Sequence, residues 1–171
     1  MNNKIGIRKL SINDVNEYKA IRLELLMNEP ASFGSSFEEE DDFDFSMWTN
    51  RLTKKNISAF GALNNNELVG IVLGVINPRK KIKHIATLNS MYVKPEYRSQ
   101  GIGEKLIEKT VTYLFEQSIE IINLSVATNN KKAISLYEKL GFNIYGEQKN
   151  AIKLNDEYID LYLMTKDNDK I

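Results

Sequence analysis

Apolar positions along the chain recur at two spacings, and the switches between them mark out the elements. Residues 5–10, Ile-Gly-Ile-Arg-Lys-Leu, read as a first strand. Over residues 14–28, Val15, Tyr18, Ile21, Leu25 and Leu26 recur at helical spacing, and Pro30 stops that helix. After a loop holding Gly34, Ser36 followed by Glu39 has the capping-box pattern and opens a second helix to about Leu52. Strands at 57–63 and 68–76 flank Asn64-Asn65-Asn66-Glu67, a hairpin signal. Asn77-Pro78-Arg79-Lys80 makes the next turn, and 84–93 is the longest strand of this group. Beyond Pro95 the pattern changes. Residues 101–117 form a helix with Leu106, Ile107, Val111, Leu114 and Phe115 on one stripe. A strand at 120–127 and a helix at 130–140 follow, the latter ended by Gly141 as a left-handed cap. Residues 142–146 and 158–165 complete the set as strands. The order β-α-α-β-β-β-α-β-α-β-β predicts an α/β protein with a mixed sheet, antiparallel hairpins joined to one βαβ crossover.

Composition narrows the chemistry. A length of 171 residues suits one domain, residues 1–171, with 42% hydrophobic and 27% charged residues as in soluble globular chains. The formal net charge of zero argues against a nucleic-acid partner. There is no cysteine, which excludes disulfides, thiolate metal sites and cysteine nucleophiles, and the single histidine, His84, cannot alone build a metal site or a catalytic triad. Neither a signal peptide behind Met1 nor an apolar run long enough for a membrane span is visible, so a cytoplasmic protein without a metal or a membrane partner is expected.

The candidate chemistry begins where a strand runs into a helix, at Met91-Tyr92-Val93-Lys94-Pro95-Glu96-Tyr97-Arg98-Ser99-Gln100-Gly101-Ile102-Gly103. Backbone N–H groups in such a turn, with the positive end of the helix dipole, form an anion site. Gly101 and Gly103 would admit a phosphate where a Cβ would intrude, and Arg98 adds a charge at the rim. A dinucleotide fingerprint would need a third glycine where Leu106 stands, and a P-loop needs Gly-Lys-Ser/Thr where the chain has Gly103-Glu104-Lys105. A diphosphate site on a mixed sheet remains.

Arg98-Ser99-Gln100-Gly101-Ile102-Gly103 resembles the Arg/Gln-x-x-Gly-x-Gly/Ala motif of the GNAT superfamily of N-acetyltransferases. Asn130-Lys131-Lys132-Ala133-Ile134-Ser135-Leu136-Tyr137-Glu138-Lys139-Leu140-Gly141-Phe142 resembles that family's Asn-x-x-Ala-x-x-Leu-Tyr-x-x-x-Gly-Phe signature. The resemblance implies the GNAT fold, with two neighbouring parallel strands splayed apart to hold acetyl-CoA, the acyl donor. It implies that the backbone of Met91, Tyr92 and Val93 pairs with the pantetheine arm. It also implies that amides of Arg98, Ser99, Gln100, Gly101, Ile102, Gly103 and Glu104 hold the pyrophosphate. Asn130 matches a pantetheine-binding position, although its place equally suits a helix N-cap. Tyr137, also at the cofactor, is the implied catalytic residue, donating a hydrogen bond or proton to the departing thiolate; a plain core aromatic on the stripe of Ala133, Leu136 and Leu140 would look the same.

Where several family members carry a glutamate in the strand before the loop, this chain has Thr87, Asn89 and Ser90. The departure implies a water relay, a base from elsewhere, or an easily deprotonated amine. His84, at the far end of that strand, reads as structural. The expected acceptor is a primary amine of a small molecule or peptide, taken in a ternary complex. Its pocket is drawn from Phe33, Glu38 and Tyr158, with Glu157 and Asp160 nearby, while Phe37 and Trp48 read as core or pocket wall. The acids at 38–42 could attract a cationic amine or simply face water at a helix N-terminus. A homodimer stays open, and the competing reading is a non-catalytic acyl-CoA sensor or scaffold.

Overall fold

The computed structural model describes residues 5–168; the expectation about a leader at Met1 concerns residues outside that span. The elements run β1 (Gly6–Lys9), α1 (Val15–Asn28), α2 (Phe37–Asp41), α3 (Phe45–Thr53), β2 (Ile57–Asn64), β3 (Glu67–Ile76), β4 (Ile85–Val93), α4 (Ile102–Glu116), β5 (Ile121–Ala127), α5 (Lys131–Lys139), β6 (Asn143–Leu154) and β7 (Glu157–Asp167). They build one mixed sheet of seven strands in the order β1-β2-β3-β4-β5-β7-β6. Among the described residues only β4 and β5 pair in parallel.

Each face of the sheet carries its own core. Leu106, Ile107 and Leu114 of α4, with Tyr137 of α5, pack with Phe60, Val72 and Ala86 on one face. Tyr18, Ile21 and Leu25 of α1, with Trp48 of α3, pack with Ala59, Ile71 and Tyr92 on the other. The hairpin expected at Asn65 and Asn66 forms with both residues at positive φ (46° and 73°), which suits the right-handed twist of the strands it joins. Gly141 takes φ +85° as the cap of α5.

Three features differ from the expected pattern. The second helix is two helices, broken at Asp42, Phe43 and Asp44. Glu40 of α2 accepts from Arg22 of α1 (Nε 2.9 Å, Nη2 2.7 Å) and from Arg51 of α3 (2.8 and 3.0 Å) while fully buried. In one straight helix, residues 40 and 51 would stand about 16 Å apart along the axis, so the break is what lets Arg51 fold back. The sixth strand does not end at Gly146 but runs to Leu154. Its second half is a polar, exposed edge with a bulge at Asn150 (φ +52°), pinned by Asp160 Oδ1 accepting from Asn150 N at 2.8 Å.

The third difference lies in β4. The register to β3 slips between Tyr92 and Asn89, where Ser90 has φ +57°. The extra residue reverses the strand's alternation. Ala86 and Leu88 face α4, but beyond the bulge Met91 and Val93 do, and Tyr92 turns to α1. Arg22 Nη1 donates to Ser90 Oγ at 3.2 Å and holds the bulge from the α1 side.

Candidate active site

β4 and β5 pair only through Ile85–Ile121, Ala86–Ile122 and Thr87–Asn123, at the start of each strand. Toward Val93 and Ala127 no ladder joins them, and each keeps its other neighbour, β3 or β7. The sheet is therefore open at the carboxyl ends of its one parallel pair, the place where α/β sheets present ligand crevices.

The loop from β4 to α4 closes one end of this opening. It is anchored to the β2–β3 hairpin: Lys94 Nζ pairs with Glu67 at 2.8 Å, and the Tyr97 hydroxyl accepts from Asn64 Nδ2 at 3.2 Å and donates to Glu67 at 3.2 Å. Past Arg98 the chain passes through Ser99 (φ +61°) and Gly101 (φ +74°) into the helix. Lys105 is the first residue of α4 whose N–H reaches a carbonyl, Gly101 O at 3.1 Å. The N–H groups of Ser99, Gln100, Gly101, Ile102, Gly103 and Glu104 find no acceptor among the described residues. Two left-handed residues and a helix start thus turn a run of amides outward, the geometry of an anion nest.

The two glycines serve different ends. A Cβ at Gly101 would meet nothing within 4 Å, so its glycine answers to the positive φ alone. A Cβ at Gly103 would come 3.1 Å from Met91 Cε and 3.4 Å from Leu136 Cδ2. Gly103 therefore lets the head of α4 sit close to β4 and α5, and in this structure its small size answers to packing. Arg98 also differs from a free rim charge. Its Nε donates to Val93 O at 2.8 Å, its Nη2 to Glu29 Oε1 at 2.9 Å, and its guanidinium lies 5.4 Å from the centre of the Tyr92 ring.

Helix α5 crosses the same head. Besides Leu136 against Gly103, Lys139 Nζ pairs with Glu104 Oε2 at 2.7 Å, which neutralises an acid beside the amides. Asn130 is the N-cap of α5, its Oδ1 accepting from Ala133 N at 3.2 Å. Tyr137 is buried edge-on to Phe142 with ring centres 5.9 Å apart, and its hydroxyl has no partner among the described residues. Burial pushes this phenol up to about 12.

On the α1 face, α1 lies over β3, and the turn Pro30–Ser32 that continues it lies against β5 and β6. Residues 28–33 thus cross the opening from one side to the other. Phe33 is half-buried here, with the Arg22 guanidinium 5.4 Å from its ring centre. Glu38 is exposed in the first turn of α2, and of the acids at 38–42 only Glu40 is buried. Phe37 is half-buried, and Trp48 is fully buried in the core. Because Ala127 pairs with Leu161, the β6–β7 hairpin overhangs the end of β5; Tyr158 is exposed near its tip under Lys153, and Glu157 is exposed beside it. Asp160 is taken up by Asn150 and by Lys149 at 3.0 Å. His84 stands at the start of β4, roughly 25–30 Å of strand away from the loop. The Arg22–Glu40–Arg51 cluster and the Glu29–Arg98 pair had no signature in the sequence, since nothing in an isolated Glu or Arg marks a partner 18 or 69 residues away. Among the described residues no group of three or more His, Asp or Glu side chains could hold a metal, and no helix is long and apolar enough to cross a membrane.

Among the described residues, a mixed sheet opened at its one parallel pair, with a run of unpartnered amides at the mouth, forms a crevice suited to an anionic ligand. The acetyltransferase (GNAT) family model matches residues 22–142, and the chain belongs to that family. The acetyltransferase of the GNAT family from Streptococcus pneumoniae is similar over 96% of this chain and 100% of that one, at 26% identity and a TM-score of 0.80. An acetyltransferase from Salmonella typhimurium, determined with its cofactor acetyl-CoA, shares the fold at 14% identity and a TM-score of 0.81, over 96% of this chain and 94% of its own. Curated relatives match over shorter stretches. Thialysine N-epsilon-acetyltransferase of Sus scrofa is 46% identical over 54 residues, 32% of this chain and 32% of its own length. The ribosomal protein bS18-alanine N-acetyltransferase of Escherichia coli K12 is 35% identical over 79 residues, 46% of this chain and 53% of its own length. The chain thus spans about a third to a half of these relatives.

Proposed function

We propose that the protein, read as one domain over residues 1–171, transfers an acetyl group from acetyl-CoA to a primary amine by direct attack in a ternary complex. The observation that carries this reading is the run of six unpartnered amides, residues 99–104, at the open end of β4 and β5. In it those amides hold the pyrophosphate, Arg98 shapes the loop from behind, and strand-edge groups of β4 at Met91, Tyr92 and Val93 receive the pantetheine. Lys94 N–H bonds Val69 O, so strand alternation turns the polar groups of Val93 to the opposite edge, where its carbonyl accepts from Arg98 Nε and its N–H is left for a ligand. Asn130 caps α5 and keeps its Nδ2 for the same arm.

As the amine adds to the thioester carbonyl, the C–S bond breaks and charge gathers on sulfur. Tyr137 at about 12 is a neutral donor at any working pH. Full proton transfer to a thiolate of ordinary pKa about 8.5 would be uphill by roughly 5 kcal/mol, so hydrogen bonding to the developing charge is its role. β4 carries no carboxylate at Thr87, Asn89 or Ser90 to take the proton from the amine. Deprotonating an alkylammonium at neutral pH costs about 4 kcal/mol and an α-amine about 1, which favours α-amines of amino acids or peptide N-termini. The E. coli relatives named for bS18 alanine and for L-amino acids, the latter 25% identical over 155 residues, are named for such acceptors.

Thiol release from acetyl-CoA over a panel of free amino acids, an alanine-initiated peptide, thialysine and a polyamine tests the reading. Turnover greatest on α-amines supports it. Saturable CoA binding with no turnover on any amine would replace it with the sensor or scaffold reading.

A further inference from the structure

The last turn of α1 is tied to the end of β4 by two routes. Glu29 accepts from Arg98, and the Tyr92 hydroxyl accepts from Asn28 Nδ2 at 2.9 Å while donating to Glu24 at 3.0 Å. Arg98 lies 5.4 Å from the centre of that tyrosine ring and also bonds Val93 O. Arg98 immediately precedes Ser99, the first amide of the nest, and Glu29 immediately precedes Pro30–Ser32, the turn that bridges the opening to β5 and β6. One ion pair therefore joins the donor cradle directly to the segment walling the acceptor side.

We propose that the Arg98–Glu29 pair is a strut that couples occupancy of the cradle to the order of residues 31–33, with Arg98 a positioning residue and not a phosphate ligand. Its charge is already matched by Glu29, and its Nε and Nη2 point to Val93 O and Glu29 rather than into the nest. An anion gathering the amides of residues 99–104 fixes Ser99 and, through it, Arg98. The strut then holds Glu29, and the turn after it loses freedom. Coupling of this kind is reciprocal between the two sites.

The inference rests on CoA occupying the cradle, and the test separates the two claims. Amide hydrogen exchange is followed with and without CoA in the intact chain and in Glu29→Ala, Glu29→Gln and Arg98→Lys, alongside calorimetric CoA binding. In the unaltered protein CoA slows exchange both at 99–104 and at 31–33. In Glu29→Ala the pair is gone from a partly exposed position, so the fold stands. Protection at 99–104 and the CoA Kd stay within about threefold, while the CoA-induced slowing at 31–33 falls by about fivefold or more, the lower end of ordinary site-to-site coupling. Glu29→Gln, which keeps the accepting oxygen, restores part of it, and Arg98→Lys behaves as Glu29→Ala at 31–33. Undiminished slowing at 31–33 in Glu29→Ala overturns the strut and leaves the cradle standing. Absence of CoA binding in the unaltered protein overturns both.

Discussion

In the proposed reaction, Tyr137 has to serve packing and chemistry with a single side chain. Its ring belongs to the core, edge-on to Phe142, and its hydroxyl has no partner among the described residues. Unlike the unpartnered hydroxyl of Tyr18, which is fully enclosed, the Tyr137 oxygen keeps contact with solvent, so a ligand can reach it, as the proposed donor role requires. Tyr137→Phe removes one oxygen and keeps the packing. CoA affinity should stay within about threefold and kcat should fall by roughly a hundredfold, the scale for losing one donor to developing charge. Calorimetry for CoA with thiol release for turnover checks both halves, and an unchanged kcat ends the assignment. The pH dependence adds a sign. With the phenol raised from 10.0 to about 12, the protonated donor persists through the alkaline range. Rate should therefore climb as the amine deprotonates and hold through pH 10, losing the Tyr137 contribution only as pH approaches 12. A falling limb near pH 10 that disappears in Tyr137→Phe would show an unshifted phenol.

Among elements, the arrangement of α1, α2 and α3 depends on one buried carboxylate. Glu40 has no exposure, and burial alone would raise its pKa; the hydrogen bonds from Arg22 and Arg51 outweigh that and hold it at about 2, against 4.5 unfolded. A pKa lowered by folding gives stability that is complete above the unfolded value and is lost as pH falls from about 4.5 through 2, on the order of 3 kcal/mol for this group. Glu40→Gln leaves two guanidinium groups facing a neutral amide and should cost about 3–5 kcal/mol. Thermal melts should show a drop on the order of 10 °C at neutral pH and a smaller difference toward pH 2, where the native glutamate is also protonated. A loss below about 1 kcal/mol at neutral pH would mean that the cluster contributes little. The same cluster explains what the sequence could and could not reveal. The left-handed turn at Gly101 and the two ends of α5, capped at Asn130 and Gly141, are legible because backbone needs show locally as glycine, proline and caps. The helix break was hidden because Glu40 finds partners 11 and 18 residues away. The β4 bulge was hidden because that strand is covered on both faces, which blurs the alternation a bulge would shift. The long β6 was hidden because an exposed edge strand is polar and reads as loop.

For the whole molecule, the proposed function turns on which anion the mouth of the sheet selects, since the chain carries no net charge to attract one in bulk. Arg98 is matched by Glu29 and Lys139 by Glu104, while Lys105, exposed in the first turn of α4, has no ion-pair partner among the described residues, so in the proposed reading selection falls to the amides, to Lys105 and to the shape of the opening. That shape differs from a dinucleotide fold at one telling place. The third glycine of such a site would fall at Leu106, which is fully buried and packs where a Cβ on Gly70 of β3 would meet it at 3.0 Å. The small residue is on the strand and the large one on the helix, which sets α4 close against β3 by the reverse arrangement. A ligand that binds only the folded chain at a hundred times its Kd adds about 2.7 kcal/mol. For a chain of this length that is roughly 5–10 °C in Tm. CoA at that level should therefore raise the melting temperature by this amount, while ATP or NAD at equal concentration should move it by less than about 2 °C. A shift with NAD or ATP matching that with CoA would make the mouth a general nucleotide site, and the transfer of an acetyl group would lose its support.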